Sequence, residues 1–201
     1  MPDPVLNDPD RLLRRTVVCV AVANLAYFGV EFAVARAIGA VSLFADSIDF
    51  LEDASVNFLI AVALAWPPRR RARVGMVLAA LLLVPTLATL WAIWRKVTAP
   101  SAPEPWQLSA TGLGALAVNL GCAFALARFR RTQDSLSRAA FLSARNDALA
   151  NVAIIAAGAI TVVWASGWPD IVVGIGIGAL NVNAAREVWQ HARREHAVST
   201  P

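Results

Sequence analysis

Four acidic side chains lie within eight residues of an otherwise apolar segment that runs from Ala40 to Trp66. A segment of this length and composition is typical of a transmembrane helix, which needs about 20 apolar residues. A carboxylate at the centre of a bilayer costs about 2.5 to 3.5 kcal/mol, so acids there face a protein interior, a water-filled cavity or a bound cation. The segment must therefore be enclosed by other helices. Its acids are Asp46, Asp49, Glu52 and Asp53.

The spacing of these acids places most of them on one side of a helix. At about 100° per residue, positions i, i+3 and i+7 share a face. Asp46, Asp49 and Asp53 follow that spacing, and Glu52 lies next to the same face. We therefore predict that one side of this helix holds positive charge.

The chain as a whole has the composition of an integral membrane protein. Hydrophobic residues make up 58% of it, whereas apolar residues make up about 45 to 50% of an ordinary soluble domain. Windows of about 20 apolar residues predict an all-α protein with six transmembrane helices, and tryptophans lie near most of their ends. The windows are Thr16 to Ala37, Ala40 to Trp66, Val74 to Trp94, Trp106 to Ala127, Ala139 to Trp164 and Trp168 to Trp189.

The distribution of basic residues predicts the orientation. Fourteen of the 18 fall in the N-terminal segment, the second loop, the fourth loop, and the tail together with the end of the sixth window (Arg186), and three, Arg36, Arg95 and Lys96, fall on the opposite side. Basic residues are enriched on the cytoplasmic side, so both termini of this multi-pass protein of the cytoplasmic membrane are predicted to be cytoplasmic. This topology also explains the pI near 10.0 without a nucleic-acid partner. We divide the chain into a cytoplasmic N-terminal segment (1–15), a six-helix transmembrane domain (16–190) and a short cytoplasmic tail (191–201).

Two other predicted helices carry polar stripes. A single buried Asn or Ser normally forms a hydrogen bond to a neighbouring helix, and we expect that role for several of these residues. Acids need another explanation, because Arg145 is the only basic partner at membrane depth and can neutralise only one of them. The stripes are Asn24, Tyr27 and Glu31 on the first helix, and Ser143, Asp147 and Asn151 on the fifth.

Asp49, Asp53 and Asp147 together predict a site for a divalent cation at mid-depth in the membrane. Carboxylate and hydroxyl oxygens are hard ligands that suit Mg, Mn or Fe(II). A zinc site normally includes His or Cys, and the two histidines, His191 and His196, both lie in the predicted tail. The sequence therefore favours a cation that prefers oxygen ligands.

Runs of residues in the predicted helices also occur in a characteristic order. They are Asn24 to Glu31 and Gly39 to Asp53 in the first two helices, Asn119 in the fourth, Ala139 to Leu149 in the fifth and Gly167 to Asp170 before the sixth. In this order they resemble the cation diffusion facilitator family of cation efflux transporters, over nearly the whole chain.

The resemblance implies a homodimeric antiporter that exports a divalent metal ion from the cytoplasm in exchange for protons, by alternating access. The metal would be cargo and not a resident cofactor, and Mn, Fe, Co and Zn are not distinguished. The implied partners are metal ions, protons and membrane lipid. The implied transport site is Asp49, Asp53, Ser143 and Asp147, and the candidates for its surroundings or for a proton pathway are Asp46, Glu31, Asn24 and Asn151.

The sequence departs from this family in three ways. Zinc exporters commonly have His at the positions of Asp49 and Ser143, so we expect a harder metal here. Many members end in a cytoplasmic metallochaperone-like domain, which we expect this chain to lack, so that a dimer would rest on membrane contacts. Arg145 lies two residues from Ser143 and from Asp147, about 200° round the helix from each.

Other functions are predicted if the carboxylate site does not transport a metal ion. A degenerate relative with a structural or regulatory role would pair Arg145 with Asp147. Ion-coupled transport of an organic solute is less favoured, because the polar residues form a compact carboxylate cluster without an aromatic cavity. An enzyme is least favoured, because no nucleophile with a neighbouring base is evident.

Overall fold

A computed structural model describes residues 8–63, 87–127 and 135–180 of the chain. Within these ranges the protein consists of six helices without a strand, which confirms the predicted all-α class for that part of the chain. The helices are α1 (Asp8–Ile38), α2 (Val41–Ala63), α3 (residues 87–98), α4 (Pro105–Ala127), α5 (Ser135–Val163) and α6 (Trp168–Leu180).

Two helices begin earlier than the apolar windows predict. α1 begins at Asp8 instead of Thr16, and α5 begins at Ser135 instead of Ala139. Hydropathy marks only the apolar part of a helix, whereas the helix itself continues for as long as the sequence favours it. The start of α1 is favourable, because it combines a proline with two acids, which stabilise the positive end of the helix dipole.

A tight turn at Gly39 joins α1 to α2 and makes the two helices antiparallel. Gly39 has a φ of 65°, in the left-handed region that glycine adopts without strain. The Ala40 N–H donates to the Ala35 carbonyl at 3.1 Å, which is the closing bond of a Schellman motif. The turn therefore fixes which faces of α1 and α2 meet.

Two helix pairs, α1 with α2 and α4 with α5, form the main packing of the bundle, and α1 also contacts α4 while α2 contacts α5. Small residues at the contacts let the backbones approach closely. α3 and α6 pack near the start of α2, through a second cluster of Val41, Ile93 and Ile171. The central core comprises Ala35, Ala40, Leu43, Ala45, Leu108, Ile154, Ala157 and Ile177.

The outward faces of the bundle are strongly apolar. Phe124 is 77% exposed and Val163 is 90% exposed, and many other large apolar side chains also face outward. Such a continuous apolar surface is rare on a soluble monomer and suits contact with lipid. Three described helical segments are long and apolar enough to cross a membrane: Arg11–Ile38, Pro105–Ala127 and Asn146–Val163.

Some predictions concern residues outside the described ranges and stay predictions. These predictions concern the segment 1–7, the end of the second span at Trp66 and the start of the third at Val74. They also concern most of the arginines of the second and fourth loops, the end of the sixth span, and the tail with its two histidines.

Candidate cation site

The predicted acidic face of α2 is part of a longer polar stripe. Ser42, Asp46, Asp49, Asp53 and Asn57 follow one another at intervals of four, three, four and four residues, which keeps them on one side of the helix. The stripe faces the neighbouring helices: the side chain of Asp46 is fully buried, and those of Asp49 and Asp53 are partly buried. The surrounding helices thus shield charges that lipid alone would not accommodate.

α5 brings a further carboxylate to this stripe. The carboxyl group of Asp147 lies within hydrogen-bonding reach of that of Asp53, and Asp49 lies close enough to Asp147 to interact with it electrostatically. Three of the four predicted ligands therefore approach one another from two helices. For Ser143, the fourth, the structure describes the helix but not the side chain.

The described part of the site is not assembled as a closed metal cage. Among the described side chains, no group of three or more His, Cys, Asp and Glu residues lies close enough together to hold a metal ion. Asp53 and Asp147, from α2 and α5, lie within hydrogen-bonding reach of each other. Any cation held here would need further ligands from water or from groups outside the described set.

A second pair of acids lies nearer to the turn between α1 and α2. Glu31 on α1 and Asp46 on α2 are both fully buried, and their carboxyl groups contact each other. Asn151 on α5 is also fully buried; its Nδ2 donates to the Asp147 carbonyl at 2.6 Å and lies 3.5 Å from Asp46 Oδ1. Asn151 thus links this acid pair to the turn of α5 that carries Asp147.

The remaining polar residues of α1 and α4 point into the same bundle. Asn24 is fully buried, and neither of its amide atoms has a hydrogen-bond partner among the described residues. Tyr27 donates its hydroxyl to the Thr111 carbonyl at 2.6 Å and stacks its ring at 5.1 Å from that of Phe50. Asn119 on α4 is 2% exposed. The face predicted for α1 therefore points inward, with Tyr27 joining α1 to α4.

Comparison with known protein families identifies the family of this chain. The model of the cation efflux transmembrane domain matches residues 17–194, which is most of the chain. The chain belongs to the cation efflux family. This confirms the family that the sequence runs resemble, and it makes the protein a multi-pass membrane protein of a family of metal cation transporters. A search of curated proteins found no match.

This cation efflux protein also contains a polar cluster that sequence reasoning missed. Asp170, at the start of α6, is fully buried and accepts three hydrogen bonds: from the N–H groups of Val41 and Ser42, both at 2.9 Å, and from the Ser42 hydroxyl at 2.6 Å. Lys96 Nζ at the end of α3 lies 3.6 Å from Asp170 Oδ2 and donates to the Gly39 carbonyl. One carboxylate therefore ties α6 and α3 to the start of α2.

The sequence contained a signal for this cluster. α2 begins directly after Gly39 and Ala40. Neither residue has a side chain that could accept a hydrogen bond from the free N–H groups of the first turn of α2. A side-chain acceptor for these N–H groups could therefore come only from elsewhere in the chain. From the sequence alone, Asp170 served only as part of the run before the sixth helix, and Lys96 served only to assign orientation. Burial lowers the pKa of Lys96, and the neighbouring Asp170 carboxylate opposes that effect.

Proposed function

We propose that this cation efflux protein is a divalent-metal/proton antiporter that exports its cation from the cytoplasm. Its transport site would comprise Asp49, Asp53, Ser143 and Asp147. The observation that carries the proposal is the approach of the Asp53 and Asp147 carboxyl groups from two different helices. Like charges at this separation repel each other unless a proton or a metal ion lies near them.

The same oxygens would serve both cargoes. A divalent cation requires ionised carboxylates, whereas a proton neutralises one, so metal and proton compete for the site. This competition is the basis of exchange: binding of metal releases protons, and uptake of protons releases metal. Because the described candidate ligands are all oxygens, we expect ions such as Mn(II), Fe(II) or Co(II) to be transported at least as well as Zn(II).

Alternating access would follow from the position of the site between α2 and α5. Movement of α5 relative to α2 would open the site to one side of the membrane and close it to the other. We further propose six spans with both termini in the cytoplasm, in the cytoplasmic membrane, and a homodimer held by membrane contacts. The positive-inside distribution of arginines supports this orientation.

The test is metal and proton flux in proteoliposomes, with Mn(II), Fe(II), Co(II), Zn(II), Cd(II) and Mg(II) compared in turn. We expect Asp49→Ala and Asp147→Ala each to abolish flux of the transported metal, while the protein still inserts and elutes as the wild type does. Glu104→Gln is the matched control, because Glu104 is exposed in the segment before α4 and lies far along the chain from both acids.

Two results would refute the proposal. Normal transport by both alanine variants would show that these acids do not form the site. Absence of flux with every metal, from wild-type protein shown to be folded, would favour the degenerate relative with a structural role.

A further inference from the structure

We propose that Glu31 and Asp46 form a proton-binding site, separate from the metal site, in which one proton is shared between the two carboxyl groups. The inference deepens the proposed antiport function and rests on it for its role in transport. Asp46 lies three residues from Asp49 on the same stripe, which corresponds to roughly 4.5 Å along the helix axis. The pair would therefore lie one turn from the metal site, on the side of the α1–α2 turn.

Glu31 and Asp46 meet at a fully buried contact that has few hydrogen-bond donors among the described residues. Glu31 and Asp46 are both 0% exposed, and their carboxyl groups contact each other. Both oxygens of Glu31 and Oδ2 of Asp46 lack a hydrogen-bond partner among the described residues. An ionised carboxylate only accepts hydrogen bonds, so two of them in contact cannot satisfy each other. A single proton turns one carboxyl group into a donor to the other and removes one buried charge.

The pair also offers a divalent cation fewer carboxylates than the proposed metal site does. The pair offers two carboxyl groups and, from Asn151, the amide oxygen Oδ1, which is also buried without a hydrogen-bond partner among the described residues. Divalent cations such as Ca(II) and Mg(II) take six or more oxygen ligands, and the pair supplies two acids whereas the proposed metal site supplies three, Asp49, Asp53 and Asp147. A proton needs only the two oxygens that already face each other.

The charge around the pair also favours a single proton on it. The described titratable side chains that face it are Tyr27 on α1, Asp49 and Asp53 on α2, and Asp147 on α5. None of them carries a positive charge, and each aspartate, when ionised, disfavours a second negative charge on the pair. A metal ion bound by those aspartates would reverse this field, and the shared proton would then be released.

Asn151 gives the pair a physical connection to the metal site. Its Nδ2 donates to the Asp147 carbonyl and also lies next to Asp46 Oδ1. A change in charge at Asp46 therefore acts on the turn of α5 that carries Asp147. We infer that the pair contributes one of the protons that are exchanged for metal.

The direct test is infrared spectroscopy of the purified protein in detergent, at neutral pH and without metal. The difference between wild type and Glu31→Gln/Asp46→Asn should contain one carboxylic acid band and one carboxylate band. Two carboxylate bands, or two carboxylic acid bands, would overturn the shared proton. If the double variant does not fold, Glu31→Gln alone is used, since its amide keeps the shape of the side chain and supplies a donor to Asp46.

A second measurement separates this inference from the antiport proposal. The number of protons released per Mn(II) bound is obtained by calorimetry in buffers of different ionisation enthalpy. We expect this number to fall by about one in the double variant, with Mn(II) still bound, and to be unchanged in Glu104→Gln. Loss of Mn(II) binding in the double variant would make the pair part of the metal site and would overturn the inference. If the wild type binds no metal, the antiport proposal fails, and the infrared result alone decides whether the pair holds a proton.

Discussion

Replacement of Asp170 by asparagine tests whether one buried carboxylate holds together the end of the bundle at which α1 turns into α2. Asp170 accepts the first N–H groups of α2, from Val41 and Ser42, and the Ser42 hydroxyl, and it pairs with Lys96. Asparagine has nearly the same shape but only one acceptor oxygen and no charge. The variant therefore leaves at least one N–H of α2 without its acceptor and leaves Lys96 without its carboxylate.

The expected cost follows from these losses. Loss of a helix N-cap costs about 0.5 to 2 kcal/mol, and a hydrogen bond to a charged group contributes about 1.5 to 3 kcal/mol. Removal of one partner of a buried ion pair costs about 3 to 5 kcal/mol in total, and we expect the free energy of unfolding to fall within that range. For a chain of this length, each kcal/mol lost from the free energy of unfolding lowers the midpoint of thermal unfolding by about 2 to 4 °C. The midpoint should therefore fall by about 10 °C.

The assay is thermal unfolding of purified protein in detergent, followed by the fluorescence of its seven tryptophans. Lys96→Met/Asp170→Asn should recover part of the loss, because the unpaired ammonium group is then removed as well. Glu104→Gln, the same change of acid to amide at an exposed position just before α4, should lower the midpoint by no more than about 4 °C, since an acid at a helix N-terminus contributes at most about 1 kcal/mol. A midpoint for Asp170→Asn that matches this control would show that the carboxylate does not cap α2.

Three smaller predictions use the same unfolding assay. Gly174→Ala should destabilise the protein, because an added Cβ would lie 3.1 to 3.2 Å from atoms at the start of α2. Gly176→Ala should be neutral or slightly stabilising, because an added Cβ there would meet nothing within 4 Å. Equal effects of the two substitutions would contradict this prediction. Tyr27→Phe should cost about 1 kcal/mol through loss of its bond to α4, and an unchanged midpoint would mean that this bond adds nothing. Lys96→Met should cost less than Asp170→Asn, about 1 to 2 kcal/mol, because Asp170 keeps its three donors; a larger cost would reverse the assigned roles.

Much of the fold could be predicted because the signals are local. A window of apolar residues predicts a helix of sufficient length to span the membrane, and glycine at position 39 predicts the turn where the first helix ends. The helix starts at Asp8 and Ser135 were missed, since hydropathy does not detect the polar turns by which a helix extends beyond its apolar part.

Part of the candidate site could be predicted for the same reason. The interval between Asp46, Asp49 and Asp53 fixes their common face on any helix, and Asp147 is conspicuous because an acid at membrane depth needs an explanation. Which carboxyl groups meet could not be predicted. That Asp147 approaches Asp53, and that Glu31 contacts Asp46, depends on how α1, α2 and α5 pack.

The sequence by itself therefore determined the helices, their polar faces and the family to which this protein belongs. Only the tertiary structure decided the pairing of acids and the burial of Asp170 beneath α2. The physical reason is the range of each interaction. Helix formation and amphipathic faces depend on residues within a few positions of one another. The Val41 N–H and the Asp170 carboxylate are separated by 129 positions and meet only when α6 packs against the start of α2.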